Sequence, residues 1–464
     1  MTILHRAILL LSRVLLLVPL VAVVVPATAG ERAQGVTAAQ FREDVAFIRD
    51  SITRMHPDPA FSTDPHAMER ALAQLARGVP PTLTVDQAWQ RLAALNPLLA
   101  DGHFFIGHAD WRSDTQRWLA AGGSLFPLEV EVGPDGTLLV RPDTASQAAA
   151  PARIVSVDGV PADVLVPALL EKVHGDTPGF RAALLAQRWW LYYWKTYGAP
   201  ERYRLVLEQG GKRRTVDLPG SRALPLVMRK EAQSPFRLAI EANGRAVLTV
   251  DSFDQADPAP FAAFTRDAFA RIREAGVTEL VIDISNNGGG NDALWLEGLM
   301  PYLANRPYRT GSTYRALTRP GGDAPASLVD GEIATWRQPQ PDHPLRFGGK
   351  VYVKIGAGTY SSAILFANVM RDFRFATLIG SGGLARQAQS GGVRTVRLPH
   401  TGLVLSLPRF ILDPPAGRSP GALLEAQELP NGMPAAAANS WHGSSRPLAR
   451  HVSAPLTPQS ALFL

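Results

Sequence analysis

The sequence predicts an α/β fold, with an α/β core in the C-terminal half preceded by a helical segment and a β-rich one. Three observations point there. Leu280-Val281-Ile282-Asp283-Ile284 is a nearly continuous apolar strand, the pattern of burial on both faces, and a glycine-rich loop and a helix follow it. Lys350 to Ile355 is another β-rich stretch, and Thr359-Tyr360-Ser361-Ser362-Ala363 leads from it into the apolar helix Ile364 to Met370. Between about Leu125 and Leu218, short runs bounded by Gly and Pro turns read as strands.

Met1 to Ala29 reads as a secretory signal. His5, Arg6 and Arg13 make a positive start, Val14 to Val25 an apolar centre, and Pro26-Ala27-Thr28-Ala29 a small-residue cleavage pattern. Export to a periplasm or to the outside is expected; an uncleaved signal would instead keep the chain near a membrane. No later segment is long and apolar enough to span a bilayer. The chain has no cysteine, which excludes disulfides, thiolate metal sites and Cys nucleophiles. Its net charge of +6 comes from scattered residues, mostly Arg, and Lys212-Arg213-Arg214 is the longest basic run. That pattern argues against nucleic acid as a partner.

Thr37 to Leu99 is mainly helical by spacing, with apolar residues at Phe41, Val45, Ile48 and Ile52 and again at Met68, Leu72 and Leu75. In the β-rich segment, Leu128 to Val132 and Thr137 to Val140 flank a Gly-Pro-Asp-Gly turn, and Tyr203 to Leu207 pairs with Arg214 to Leu218 across Gly210-Gly211. The aromatic run Trp189 to Trp194 is read as a packed helix, with a ligand groove as the rival. After the Ser361 helix come a strand at Ala376 to Gly380 and a hairpin at Val393 to Leu398 and Leu403 to Leu407. The chain thus divides into a signal over 1–29, a helical domain over 30–122, a β domain over 123–222, the core over 235–445 and an irregular tail over 446–464.

Ser361 stands where a helix begins, with unpaired backbone N–H groups and a dipole that favours negative charge. A nucleophile and its oxyanion suit that place, and so does a simple N-cap. Asn286-Asn287-Gly288-Gly289-Gly290-Asn291 lacks the endings of a phosphate loop. Its glycines let a substrate carbonyl approach the backbone, or they make a sharp turn. Gly417-Arg418-Ser419-Pro420-Gly421 matches a nucleophile elbow, but Pro420 has no N–H to donate, so Ser419 is rejected. In Asp101-Gly102-His103-Phe104-Phe105-Ile106-Gly107-His108, the two histidines are on opposite faces of an extended strand, whereas Asp101 and His103 share one. That suits an imidazole oriented by an acid better than a metal cage.

Four segments in consistent order resemble the tail-specific, or C-terminal processing, serine peptidases, in the branch that includes the tricorn core. They are Leu280 to Gly290; Thr359 to Ala363 with Leu378-Ile379-Gly380; Leu398-Pro399 with Leu403 to Leu407; and His56-Pro57 with Leu99-Ala100-Asp101-Gly102-His103. The middle segment, with Ile154-Val155-Ser156-Val157-Asp158-Gly159, looks like a PDZ-type domain. The resemblance implies a ClpP/crotonase-like α/β catalytic core, a PDZ-like β domain and an N-terminal helical domain, acting on polypeptides without metal or cofactor.

By position, Ser361 matches the family's nucleophile, and the Ser362 N–H with the Gly288-Gly289 backbone matches its oxyanion hole. Arg386 stands where the best-known branch has a lysine base; arginine stays protonated and cannot be that base, which leaves Lys350 or Lys354 as substitutes. His103 stands where the other branch has its histidine. Glu425 and Glu428 lie where the family has an acid after the hairpin; Glu428 is preferred, with Asp101 as the local rival. The expectation is an exported serine endopeptidase using Ser361, His103 and Glu428. The alternative is an inactive protein that binds a peptide or an apolar ligand on the same scaffold.

Overall fold

Leu280, Val281 and Ile282 are buried because their strand, Glu279–Asp283, is the middle one of a five-stranded sheet. The computed structural model describes residues 35–133, 135–141, 152–231, 234–318 and 327–428; the expected signal over 1–29 and the tail over 446–464 lie outside them. The sheet runs Phe236–Ile240, Arg245–Val250, Glu279–Asp283, Lys350–Ile355, Thr377–Gly380. Its first pair is antiparallel and the others are parallel. Helices Ala259–Glu274, Asp292–Gly298 and Ser362–Asp372 lie in the connections between the parallel strands. Parallel strands end at one edge, so the loops after Asp283 and Ile355 emerge side by side. Open α/β sheets place their ligand sites at that edge.

The helical segment folds as Ala38–Met55, Pro65–Leu75, Val85–Leu92 and Asn96–Leu99. Thr37 and Gln40 form a capping box at the first start, and Phe41, Val45, Ile48 and Ile52 give that helix its buried stripe. Buried Asp44 on the same helix accepts the N–H groups of His400 and Thr401, at 3.0 and 2.9 Å, and so docks the helix on the tip of the C-terminal hairpin. The β-rich segment makes its own sheet in the order Val130–Val132, Leu138–Val140, Arg153–Val157, Arg202–Gln209, Lys212–Pro219. The aromatic helix is Trp189–Tyr197; Trp189, Trp190, Leu191, Tyr192 and Tyr193 are all buried, as packing requires. Among the described residues no helix is long and apolar enough to cross a membrane.

One pairing joins the two ends of the chain. The hairpin strands Arg394–Arg397 and Val404–Leu407 pair as expected, and Phe105–Gly107 adds to the outer side of Val404–Leu407. The other side of this short strand is closed by a side chain. Buried Asn96 accepts the Ile106 N–H at 2.8 Å, donates to its carbonyl at 2.9 Å, and also donates to the Lys172 carbonyl. Asn96→Leu would leave these buried backbone groups without partners, and each unsatisfied group costs about 1–3 kcal/mol. Urea unfolding of Asn96→Leu should show a loss of about 2–4 kcal/mol, whereas a change below about 1 kcal/mol would mean that the strand does not depend on this contact.

Candidate active site

The strand Lys350–Ile355 ends in a loop laced to its neighbour. Gly358 N–H donates to the Ser285 carbonyl at 2.9 Å, the Thr359 hydroxyl to the Ile284 carbonyl at 2.8 Å, and Tyr360 N–H to the Asn287 carbonyl at 3.0 Å. Ser361 follows with φ 55° and ψ −128°, a left-handed conformation that costs a non-glycine residue about 1–3 kcal/mol. Its N–H is held at 3.1 Å by the buried Gln389 side chain. Ser361 occupies the N-cap position of Ser362–Asp372, but its hydroxyl makes no capping bond. Strained residues of this kind cluster at functional sites. Ser362, by contrast, is buried, and its hydroxyl is engaged by Asp292 and Trp295.

The glycine loop abuts Ser361. A Cβ on Gly289 would lie 2.7 Å from Ser361 Cβ, 2.8 Å from the Tyr360 carbonyl oxygen and 2.9 Å from Ser362 N, at φ +98°. Only glycine fits. The expected pair of loop donors is reduced to one, because the Gly289 N–H turns to its own loop and donates to Asn287 Oδ1 at 2.9 Å. Gly288 N–H remains, with no protein acceptor among the described residues. Asn287 also fixes the loop from below, donating to the Val250 carbonyl at 3.0 Å.

His103 is buried, and its ring packs on that of Tyr360 with centroids 4.9 Å apart. The Ser406 hydroxyl donates to its carbonyl at 2.8 Å, so the pairing of Phe105–Gly107 with Val404–Leu407 sets its place. Nδ1 lies 3.0 Å from Ser390 Oγ, and that hydroxyl donates to Asp101 Oδ1 at 2.9 Å. Asp101 also accepts the His103 N–H at 2.7 Å. The direct Nδ1 to Asp101 separation of 4.0 Å is too long for a hydrogen bond, so the serine hydroxyl is the bridge. Since the Ser390 proton goes to Asp101, its oxygen is left to accept a proton from Nδ1, which selects the tautomer with basic Nε2. Gln389, next to Ser390 on the short strand Gln389–Gly391, binds the Ser361 N–H. Ser361 and the His103 imidazole are thus both held by the segment Gln389–Ser390, with Tyr360 packed on the ring.

Asp101 belongs to a larger buried network. Tyr360 donates its hydroxyl to Asp176 Oδ1 at 2.6 Å and accepts the Gly102 N–H at 2.9 Å. Arg386 gives its N–H to Asp176 Oδ2 at 2.9 Å and its guanidinium to the Ala100 carbonyl at 2.7 Å. Burial, then the neighbouring Asp176 carboxylate, push Asp101 up to about 6, against the pull of its His103 and Ser390 hydrogen bonds and of Arg386. Asp176 is raised as well, by burial, with Arg386 opposing. Arg386 is therefore a structural counter-charge.

The other expected residues fall elsewhere. Glu428 is exposed, beside the bridge between Gln427 and Ile379, and Glu425 is exposed against the Gly382-Gly383 turn. The carboxylate beside His103 is Asp101, because the acid comes with the same strand addition that delivers the histidine. His108 points away, with Nε2 3.6 Å from Asp86 and its ring on Trp89. Lys354 is buried in an ion pair with Asp283 at 3.0 Å, and Lys350 is exposed. Among the described residues no group of three or more ligating side chains could hold a metal. Ser390, Gln389, Asp176 and Asp292 escaped the sequence reading; each stands alone in polar surroundings with no spacing to mark it.

Residues 245–421 match the sequence model of peptidase family S41. None of the curated proteins matches the chain. Among solved structures, a crystal structure of a CPAF mutant shares the fold with a TM-score of 0.61 at 14% identity, covering 84% of this chain and 92% of that one. Mature CPAF complexed with lactacystin gives 0.57 at 14% identity, over 83% and 93%. The photosystem II D1 C-terminal processing protease also aligns, at 15% identity over 84% and 93% of the two chains, with a TM-score of 0.45. Over residues 245–421, the segment that holds Ser361 and the glycine loop, this chain is therefore similar to peptidase family S41, the tail-specific serine peptidases.

Proposed function

We propose that this protein is an exported serine endopeptidase with Ser361 as nucleophile and His103 as its base. The observation that carries the reading is the strained, uncapped Ser361 beside a loop that tolerates only glycine. In the proposed sequence, His103 Nε2 takes the Ser361 proton as Oγ attacks a peptide carbonyl. The N–H groups of Ser362 and Gly288 receive the developing oxyanion. The imidazolium gives its proton to the leaving amine, and water then hydrolyses the acyl-enzyme by the same route. Asp101 stabilises the imidazolium through Ser390, at a remove of one hydroxyl. Export rests on the character of residues 1–29.

Cleavage of an unfolded polypeptide such as casein tests the assignment. Ser361→Ala should abolish turnover, and His103→Ala should lower kcat by about 10³-fold or more with the fold intact. Turnover unchanged in either variant contradicts the assignment. Gly289→Ala should lower kcat by about 10²-fold or more, because its methyl displaces the Ser361–Ser362 backbone; wild-type kcat would show that the loop does not border the reacting centre.

Asp101 predicts a pH effect. Its folded value of about 6 lies above the ordinary 3.8, so between them the native state keeps a proton that the unfolded chain has released. Its stabilising contribution is full below the ordinary value and is lost as pH rises through about 6. Asp101→Asn does not titrate, so its melting temperature should gain on wild type between about pH 4 and about pH 6 and level off above. A difference independent of pH would contradict the raised value.

A further inference from the structure

The oxyanion donors proposed above lie on two separate segments, the glycine loop and the start of the Ser362–Asp372 helix. Something must hold them in register. The direction of the Ser362 N–H is set by ψ of Ser361, which sits at −128° in a strained conformation. A rotation that relieved the strain would turn this N–H away from the reacting carbonyl.

The structure supplies a clasp against that rotation. Asp292 is the first residue of the helix Asp292–Gly298, directly after the glycine loop, and Asn291 caps that helix by accepting the Ala293 N–H at 2.9 Å. Asp292 Oδ1 accepts the Ser362 hydroxyl. Trp295 Nε1 donates to Ser362 Oγ at 3.0 Å and to Asp292 Oδ1 at 3.2 Å. Ser362 and Trp295 are buried, so these bonds face little competition from water. Burial holds the Asp292 carboxyl above its ordinary value, against the smaller pull of the Ser362 and Trp295 donors. The three side chains therefore form a closed ring that ties the far end of the glycine loop to the residue whose N–H faces the oxyanion.

We infer that Asp292 is a positioning residue of this peptidase, locking the Ser361–Ser362 peptide plane and the glycine loop into one rigid oxyanion hole through the Ser362 hydroxyl. It touches no reacting atom. Its effect falls on the transition state, where charge reaches the oxygen, and hardly on substrate binding. The inference rests on Ser361 being the nucleophile.

Steady-state peptide cleavage by full-length variants tests it. Asp292→Ala should lower kcat about 10- to 100-fold with KM within about twofold of wild type. Ser362→Ala keeps the N–H but loses the hydroxyl, and should show the same split. The double variant should be no worse than the poorer single one, since both remove one contact. Asp292→Asn, which keeps the acceptor oxygen, should recover most of the lost kcat. A circular dichroism melt reports whether each variant is folded at the assay temperature. If Asp292→Ala is folded and keeps wild-type kcat, if the losses multiply in the double variant, or if KM rises while kcat holds, the clasp does not position the hole. Should Asp292→Ala fail to fold, Asp292→Asn and Ser362→Ala decide: the inference requires near-normal kcat in the first and loss in the second. A wild-type protein that cleaves nothing defeats the peptidase reading itself, and this inference with it; an active wild type with indifferent clasp variants defeats the inference alone.

Discussion

The site depends on one short strand pairing. Phe105–Gly107 adds to Val404–Leu407, and this contact brings Asp101 and His103 to the Tyr360–Ser361 segment from the far end of the chain. Ser406 and the carbonyl it holds on His103 are 303 residues apart in sequence. Closing so long a loop is less costly than it looks, because each doubling of length adds only about 0.6 kcal/mol. Three paired residues are few, and the strand is secured from its other side by Asn96, with a further tie from Asp44 to the hairpin tip. Losing this pairing would leave the α/β core its Ser361 and glycine loop but no imidazole beside them.

The segment that matches the family, 245–421, holds Ser361, the glycine loop and Ser390. The imidazole, Asp101 and Asp176 come from outside it. The buried network is what makes the two parts meet: Tyr360, beside Ser361, is bonded to Asp176 and Gly102, and Ser390 is bonded to His103 and Asp101. Two buried carboxylates around one tyrosine hydroxyl are costly unless hydrogen-bonded and countered, and Arg386 supplies the counter-charge. An arginine that a sequence comparison alone marks as a lost base therefore has a structural task.

What could be read from the sequence was local. The central strand shows itself by unbroken apolar residues, and Ser361 by its place between a strand and an apolar helix; both patterns are set by neighbours within one element. The hairpin at 394–407 was legible for the same reason. What could not be read depends on tertiary pairing. Whether Glu428 or Asp101 faces His103 follows from which strand carries the histidine in, and no periodicity encodes that. The diversion of the Gly289 N–H to Asn287 is a two-residue side-chain turn inside an apparently open glycine loop. Ser390 and Asp292 act through single hydroxyl and carboxylate contacts that only the folded chain brings together.

The central claim is that Ser361 is the nucleophile and that His103 activates it. A fluorophosphonate reacts with an activated serine, and digestion with mass spectrometry locates the adduct. The account predicts one adduct, on the peptide containing Ser361, absent in Ser361→Ala and formed far more slowly in His103→Ala. An adduct on another serine, or none in folded protein while a reference serine hydrolase labels alongside, would contradict it.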